Sequence, residues 1–354
     1  MRIAQLCPPI LPIPPEGEGG TERHVADLTH GLLAAGHEVT LFAPSDSTLL
    51  GLEKATLVGC GGSLSSRTGP PPSLPGALEA ISLANLLEHS GDFDLIHCHT
   101  EFSHYPALQQ AACPVVTTLH WRTDEADRQE AFAAFPDANL VAISESQKKG
   151  IPNPSRVTVI PHGLRKDRYR VGPGGGGYLA FLGRLTDQKG PERTMDIARD
   201  AKMPVRLAGG HDVGNPTFFE SEIRPRLQQP DLDCELVGVL DDVAKQTFLG
   251  RAEALVFPIQ WDEPFGLVMI EAMACGCPVI AFNRGSVPEV IADGVNGFIV
   301  EDEVGAVSAL ARLSELDRAQ VRASFDKNFT SEVMTSHYLE LFQNLTKTHH
   351  NTLT

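Results

Sequence analysis

The sequence predicts an α/β protein of two doubly wound parallel sheets, one per domain, facing each other across a cleft. Three observations predict it. At 354 residues the chain exceeds what one hydrophobic core ordinarily serves, so two domains of roughly 150 to 200 residues are expected. Short apolar runs alternate with helical stretches along nearly the whole length, as strands buried on both faces and joined by crossover helices require. That alternation stops once, at "RYRVGPGGGG" (168–177), and then starts again.

The first series, within residues 1–170, runs "RIAQLC", "TERHVADLTHGLLAAG", "EVTLFA", "DLIHCH", "PVVTTLH" and "NLVAIS". Its strand-like members are four to six residues long and bounded by turn formers. Residues 44–75, rich in Gly, Ser and Pro, are expected to form a long loop. One proline and five glycines then crowd into 172–177, a composition that bends and does not pack, so this stretch is expected to link the domains. The second series, 171–330, runs "YLAFLG", "PERTMDIARDA", "PVRLAG", "TFFESEIRPRL", "CELVG", "DDVAKQTFLGRA", "ALVFP", "EPFGLVMIEAMAC" and "PVIAF". An amphipathic segment at 331–346 closes the series as a helix. In such sheets ligands bind beyond the carboxyl ends of the strands, so the loops that follow the strands are where chemistry is expected.

Composition narrows the function. A net charge of −16 excludes a protein that grips nucleic acid mainly through its phosphates, which demands a basic surface. Any anionic ligand therefore meets a local cluster of cations. Seven cysteines without CxxC spacing suit a reducing compartment better than a disulfide framework. The opening residues lack a signal peptide's apolar region, and no apolar run approaches the roughly 20 residues of a membrane span. A cytoplasmic location is expected.

The most informative segment is "EPFGLVMIEAMAC" (263–275). Glu271 is the one polar side chain between Leu267 and Ala274, and its neighbours three and four positions away are Leu267, Val268, Ala274 and Cys275. Burying an unpaired carboxylate is too costly for a marginal domain, so a partner comes either from the protein, as an internal salt bridge or cap, or from a ligand. With Pro264 read as the first helical residue, Glu263 stands at the helix mouth and Glu271 two turns inside, about 12 Å away at 1.5 Å per residue. That spacing is too wide for a proton-sharing dyad and suits two hydroxyl-bearing groups of one extended ligand. Between them the backbone N–H groups of Phe265, Gly266 and Leu267 form a helix terminus that favours an anion.

Two further loops are candidates. "FLGRLTDQKG" (181–190) places Arg184 and Lys189 after a strand, between Gly183 and Gly190, as a fork and a point charge for phosphate oxygens or simply as two solvated cations. "PPEGEGG" puts Gly17, Gly19 and Gly20 before a helix, a weak anion-binding signal without the full dinucleotide spacing. His97, His99, His104 and His120 invite a zinc site, but they lack ligand spacing on a helix, and no metal is expected. The pairs Asp92/Asp94 and Asp231/Asp233 read as polar residues preceding strands. His120 differs because it ends the strand "PVVTTLH" and so projects from the sheet's rim.

Taken together, "GR" and Lys189, "EPFGLVMIE", the first glycine loop, "VVTTLH" and the run "EAMACGCPVIAFNRGSVPEVI" resemble the retaining glycosyltransferases of family 4, whose GT-B fold pairs two Rossmann-like domains. The resemblance covers nearly the whole chain, and the carboxylate element is its most specific part. It implies transfer of a sugar from a nucleotide-diphosphate sugar, UDP- or GDP-linked, to a hydroxyl of a glycan, lipid-linked or small-molecule acceptor, without a metal or other cofactor. It assigns Glu271 to the ribose hydroxyls, Glu263 to the donor sugar, and Arg184 and Lys189 to the diphosphate. Backbone at Phe265, Gly266 and Leu267 touches sugar and phosphate, backbone near Val239 and Leu240 meets the base, Gly19, Gly20 and Gly183 help cradle the donor, and His120 reaches the sugar from the other domain. It also implies that the helix at 331–346 returns to the first domain, and it leaves peripheral membrane contact open. The chain departs from the family's usual pattern at His162, where relatives commonly carry Asn. An epimerase of the same fold and a non-catalytic nucleotide-sugar-binding subunit are the competing readings.

Overall fold

The computed structural model describes residues 1–17, 19–67, 75–211 and 214–353. They form two compact units, Met1–Gly163 with Ser331–Thr354, and Leu164–Thr330. Position 18 of the first glycine loop and positions 68–74 of the expected long loop lie outside the described residues.

The first unit holds a seven-stranded sheet of β1 (Arg2–Leu6), β2 (Glu38–Ala43), β3 (Thr56–Gly59), β4 (Leu95–Cys98), β5 (Val115–Thr118), β6 (Asn139–Ala142) and β7 (Val157–Val159). Their order is β3-β2-β1-β4-β5-β6-β7, and every pairing is parallel. The second unit holds β8 (Leu179–Leu182), β9 (Val205–Ala208), β10 (Cys234–Gly238), β11 (Ala254–Phe257), β12 (Val279–Phe282) and β13 (Gly297–Val300). Their order is β10-β9-β8-β11-β12-β13, again wholly parallel. In each sheet the chain runs outward for three strands and then reverses, so the switch points lie between β1 and β4 and between β8 and β11. Crevices at the carboxyl ends of such strand pairs are where this architecture takes ligands.

The helices that position the site are α1 (Gly20–Ala34), α2 (Pro191–Ala201), α3 (Asp242–Arg251), α4 (Leu267–Ala274), α5 (Arg318–Asn328) and α6 (Ser331–Leu353). Central strands are buried along their length, as "LIHC", "LAFL", "ALVF" and "VIAF" each are, which is why they read as continuous apolar runs. The long loop expected at 44–75 contains β3, an edge strand of four half-exposed or exposed residues too short to announce itself among glycines and serines.

The glycine-rich stretch is not the joint between the units, because the boundary falls at Gly163 and Leu164. It is bound into the second unit. Gly172 donates to the Cys275 carbonyl at 2.9 Å, Gly174 to Gly250 at 2.9 Å and Gly176 to Arg251 at 2.9 Å. A Cβ at Gly172 would stand 2.2 Å from Gly250, so glycine is there for close backbone approach rather than for flexibility. Two α5 arginines complete the seam. Arg318 donates to the carbonyls of Gly250, Ala252 and Gly172 at 2.9, 3.0 and 3.2 Å, and Arg322 to those of Tyr169 and Ala274 at 2.6 and 2.7 Å.

Helix α6 belongs to the first unit although it ends the chain. Met334, Tyr338 and Phe342 enter one core with Ile3, Val25, Leu28 and Leu32. The Tyr338 hydroxyl lies 2.9 Å from Thr118 Oγ1, fixing the helix to the carboxyl end of β5. Gly31 of α1 faces Thr335 so closely that a Cβ there would stand 2.0 Å from Oγ1. Gly31→Val therefore forces the two helices apart, and we expect it to cost about 1 to 3 kcal/mol, seen as a lower urea midpoint; an unchanged midpoint contradicts this packing.

Candidate active site

At the switch point of the second sheet, the loop after β8 carries Arg184 and Lys189, and the loop after β11 carries Glu263. Gly183 leaves the strand at φ +150° and Gly190 follows Lys189 at φ +70°. A Cβ at Gly190 would stand 2.5 Å from the Pro258 carbonyl, so glycine lets the two loops close on each other. Lys189 Nζ lies 2.6 Å from Glu263 Oε2, and the Trp261 indole N–H donates to the same oxygen at 2.7 Å. Arg184 is exposed, and its guanidinium has no hydrogen-bond partner among the described residues. The two cations thus differ: one is held by the protein, the other projects into solvent.

The carboxylate element departs from its expected geometry. Helix α4 begins at Leu267, not Pro264, with Gly266 as its N-cap at φ +80°. That left-handed backbone is one L side chains rarely adopt, and a Cβ there would also crowd Met269 Cε at 2.8 Å and Phe257 Cζ at 3.3 Å. Glu263 therefore sits in a turn before the helix, its N–H bonded to the Trp261 carbonyl at 2.9 Å and its own carbonyl accepting from Ser286 N at 3.0 Å. The Phe265 carbonyl accepts from Ser286 Oγ at 2.8 Å, and Leu267 is the first helical residue. Of the three amides expected at the helix mouth, only that of Leu267 belongs to the helix.

Glu271 is 3% exposed and has its partner within the protein. Lys245 Nζ of α3 lies 3.0 Å from Glu271 Oε1, and the Tyr169 hydroxyl lies 3.3 Å from the same oxygen. Tyr169 also lies 2.9 Å from Asp242 Oδ1. The internal salt bridge left open by the sequence is thus present. Nothing among the described residues hydrogen-bonds Glu271 Oε2 or Glu263 Oε1. Val239 and Leu240 follow β10 at its carboxyl end, with Val239 57% exposed. Lys245 and Tyr169 carry no signal in the sequence that marks them as partners of Glu271. The only signal for Trp261 was its place two residues before Glu263.

In the first unit, Gly19 caps α1 at φ +143°, where a Cβ would stand 2.7 Å from Leu11, and Gly20 opens the helix. His120, after β5, lies among other histidines. Its Nε2 is 3.1 Å from His99 Nδ1, and His99 Nε2 is 2.9 Å from Gln5 Oε1. His24 of α1 packs 5.1 Å from the His120 ring and 4.4 Å from that of His162. His24, His99 and His120 bring one nitrogen each within 4.8 Å of the others, the grouping among the described residues that could hold a metal. It is not the set weighed from the sequence: His97 bonds Thr118 at 2.7 Å, and His104 bonds Thr100 and Thr117 at 2.9 and 2.8 Å. Both nitrogens of His99 already have protein partners, so a metal would have to displace a hydrogen bond. Burial holds His24, His99 and His120 far below the usual imidazole range, and the neighbouring rings of His97 and His162 lower all three further. A cluster of neutral rings follows.

Residues 18–168 match Glycosyltransferase Family 4 and residues 168–330 match Glycosyl transferases group 1. The chain is 27% identical to a phosphatidyl-myo-inositol mannosyltransferase of Mycolicibacterium smegmatis, over 92% of this chain and 87% of that protein. It is 26% identical to D-inositol 3-phosphate glycosyltransferase 2 of Catenulispora acidiphila, over 92% and 89%. In fold it resembles AviGT4, a glycosyltransferase involved in avilamycin A biosynthesis, with a TM-score of 0.74 at 22% identity over 98% of each chain. It likewise resembles Anabaena HepE in complex with UDP-glucose, with a TM-score of 0.76 at 19% identity over 98% of this chain and 100% of that one. No helix among the described residues is long and apolar enough to cross a membrane.

The neutral histidines make stability acid-sensitive. Burial pushes His97, His104 and His162 down to about 3, whereas the unfolded chain protonates near 6.5. Between these values the unfolded state binds more protons, so stability present above about 6.5 is lost as pH falls toward 3, by roughly 1.4 kcal/mol per pH unit for each histidine. Urea midpoints are expected to drop steadily from pH 6.5 to 5, above the range where most carboxylates titrate; a flat profile contradicts the burial.

Proposed function

The chain belongs to the family 4 glycosyltransferases of the GT-B fold, and we propose that it moves a sugar from a nucleotide-diphosphate sugar, UDP- or GDP-linked, to an acceptor hydroxyl with retention at the anomeric carbon. The acceptor classes in view are a glycan, a lipid-linked substrate or a small molecule. The relatives named for phosphatidyl-inositol and inositol-phosphate substrates, and the HepE complex with UDP-glucose, support a nucleotide sugar and a hydroxyl-rich acceptor.

The observation that carries the reading is the 2.6 Å pair by which Lys189, on the loop after β8 that also bears Arg184, meets Glu263 just ahead of α4, the helix that carries Glu271. Glu271 Oε2 offers an acceptor for the ribose hydroxyls, and Glu263 Oε1 offers one for the donor sugar. Backbone at Val239 and Leu240 meets the base. Breaking the bond between the anomeric carbon and the phosphate oxygen leaves its electron pair on a diphosphate, and Arg184, Lys189 and the amino end of α4 meet that growing charge. The acceptor oxygen forms the new bond on the same face of the ring, and its proton passes to the departing phosphate oxygen. No carboxylate nucleophile is needed in this route. Two cations do the work a metal ion would do, so the reaction is metal-independent. In the first unit the same reading gives His120 to the sugar.

Thermal-shift measurements against UDP-, GDP-, ADP- and dTDP-sugars identify the donor, followed by turnover with candidate acceptors. Glu271→Ala and Lys189→Ala are each expected to lower kcat/KM at least tenfold, about 1.4 kcal/mol of transition-state stabilisation, and undiminished turnover in both folded variants sinks the site. Turnover is expected to be unchanged after EDTA treatment; a loss restored by added divalent metal overturns metal independence.

A further inference from the structure

We propose that Trp261 is a positioning residue for the donor sugar, acting through Glu263; the inference rests on the glycosyltransferase reading above. Two donors converge on one oxygen of Glu263: the Lys189 ammonium at 2.6 Å and the Trp261 indole N–H at 2.7 Å. Glu263 is 8% exposed, so its carboxylate orientation is set by these protein partners rather than by solvent. With both on Oε2, Oε1 is the oxygen left without a protein donor among the described residues, and so the one left to accept from a ligand.

The two donors are not equivalent. Lysine is a point charge on a flexible stem, and a diphosphate arriving beside Arg184 competes for it. The ammonium also lies 5.4 Å from the Trp261 ring and 6.0 Å from that of Phe257, within range of both aromatic faces. The indole cannot leave in the same way. Trp261 precedes Glu263 by two residues in a turn closed by the Glu263 N–H to Trp261 carbonyl bond at 2.9 Å, so its N–H and the carboxylate are fixed to one piece of backbone. When Lys189 turns to phosphate, Trp261 keeps Glu263 aimed at the sugar. A fixed, charged acceptor of this kind selects a sugar with a free hydroxyl at that point, because a sugar lacking it leaves the buried oxygen unpaired.

Trp261→Phe keeps an aromatic ring and removes the N–H, and Trp261→Leu repeats the measurement should the phenyl ring not pack. We expect kcat/KM for the nucleotide sugar to fall about tenfold. The dissociation constant of the matching nucleoside diphosphate, which lacks the sugar, is expected to stay within about twofold. In a Glu263→Gln background the same substitution is expected to add less than about twofold, because it acts through the carboxylate already removed. Equal weakening of nucleotide sugar and nucleoside diphosphate, or a full tenfold loss on top of Glu263→Gln, overturns the proposal. Absence of turnover by the unaltered protein with every nucleotide sugar refutes instead the reading on which the proposal rests.

Discussion

A carboxylate kept ionised in an apolar interior must be paired, and much of the second unit is arranged around that requirement. Glu271 lies on a helix with no polar face, and Lys245 is brought from α3 to meet it. Glu263 lies in the turn before the same helix and is met by Lys189 from the loop after β8. Each pair draws on a different crossover, so the pairings hold only if β8, β11 and their connections pack as they do. Each carboxylate also receives a second, uncharged donor on the paired oxygen, Tyr169 in one case and Trp261 in the other. The result is two acceptors of known direction, held by the protein before any ligand arrives. Preorganisation of this kind spares the reaction the cost of arranging dipoles as charge develops.

The alternation of strands and helices was legible because buried parallel strands must be apolar throughout, and "LIHC", "LAFL", "ALVF" and "VIAF" are buried at every position. Strands Thr56–Gly59, Val157–Val159 and Gly297–Val300 were not, being edge strands with half-exposed or exposed positions. Glu271 stood out in the sequence because nothing polar surrounds it. Its partner did not, because Lys245 approaches through strand order, which one sequence does not display. Pro264 suggested a helix start, but the left-handed backbone at Gly266 sets the start at Leu267. Proline's preference for the first turn was outweighed by a glycine in a left-handed conformation that L side chains rarely adopt.

The same limit applies to the first unit. His120 was legible as the end of a strand, whereas His24, from a helix nearly a hundred residues earlier, was not. Their meeting depends on β1, β4 and β5 lying side by side. That adjacency fills the carboxyl ends of the strands with imidazoles that burial keeps neutral. Acceptors and donors without net charge therefore line this end of the first sheet, in contrast to the ion pairs that line the second.

The return of α6 to the first unit has a consequence for biosynthesis. The second unit is one continuous segment and can complete its core as soon as Thr330 has been made. The first unit cannot, since Met334, Tyr338 and Phe342 are buried among residues of β1 and α1. During vectorial synthesis the first unit's core must wait, covered by α1 but lacking α6, while the whole of the second unit is translated. Of the two units, the one whose translation starts earlier is the one completed later.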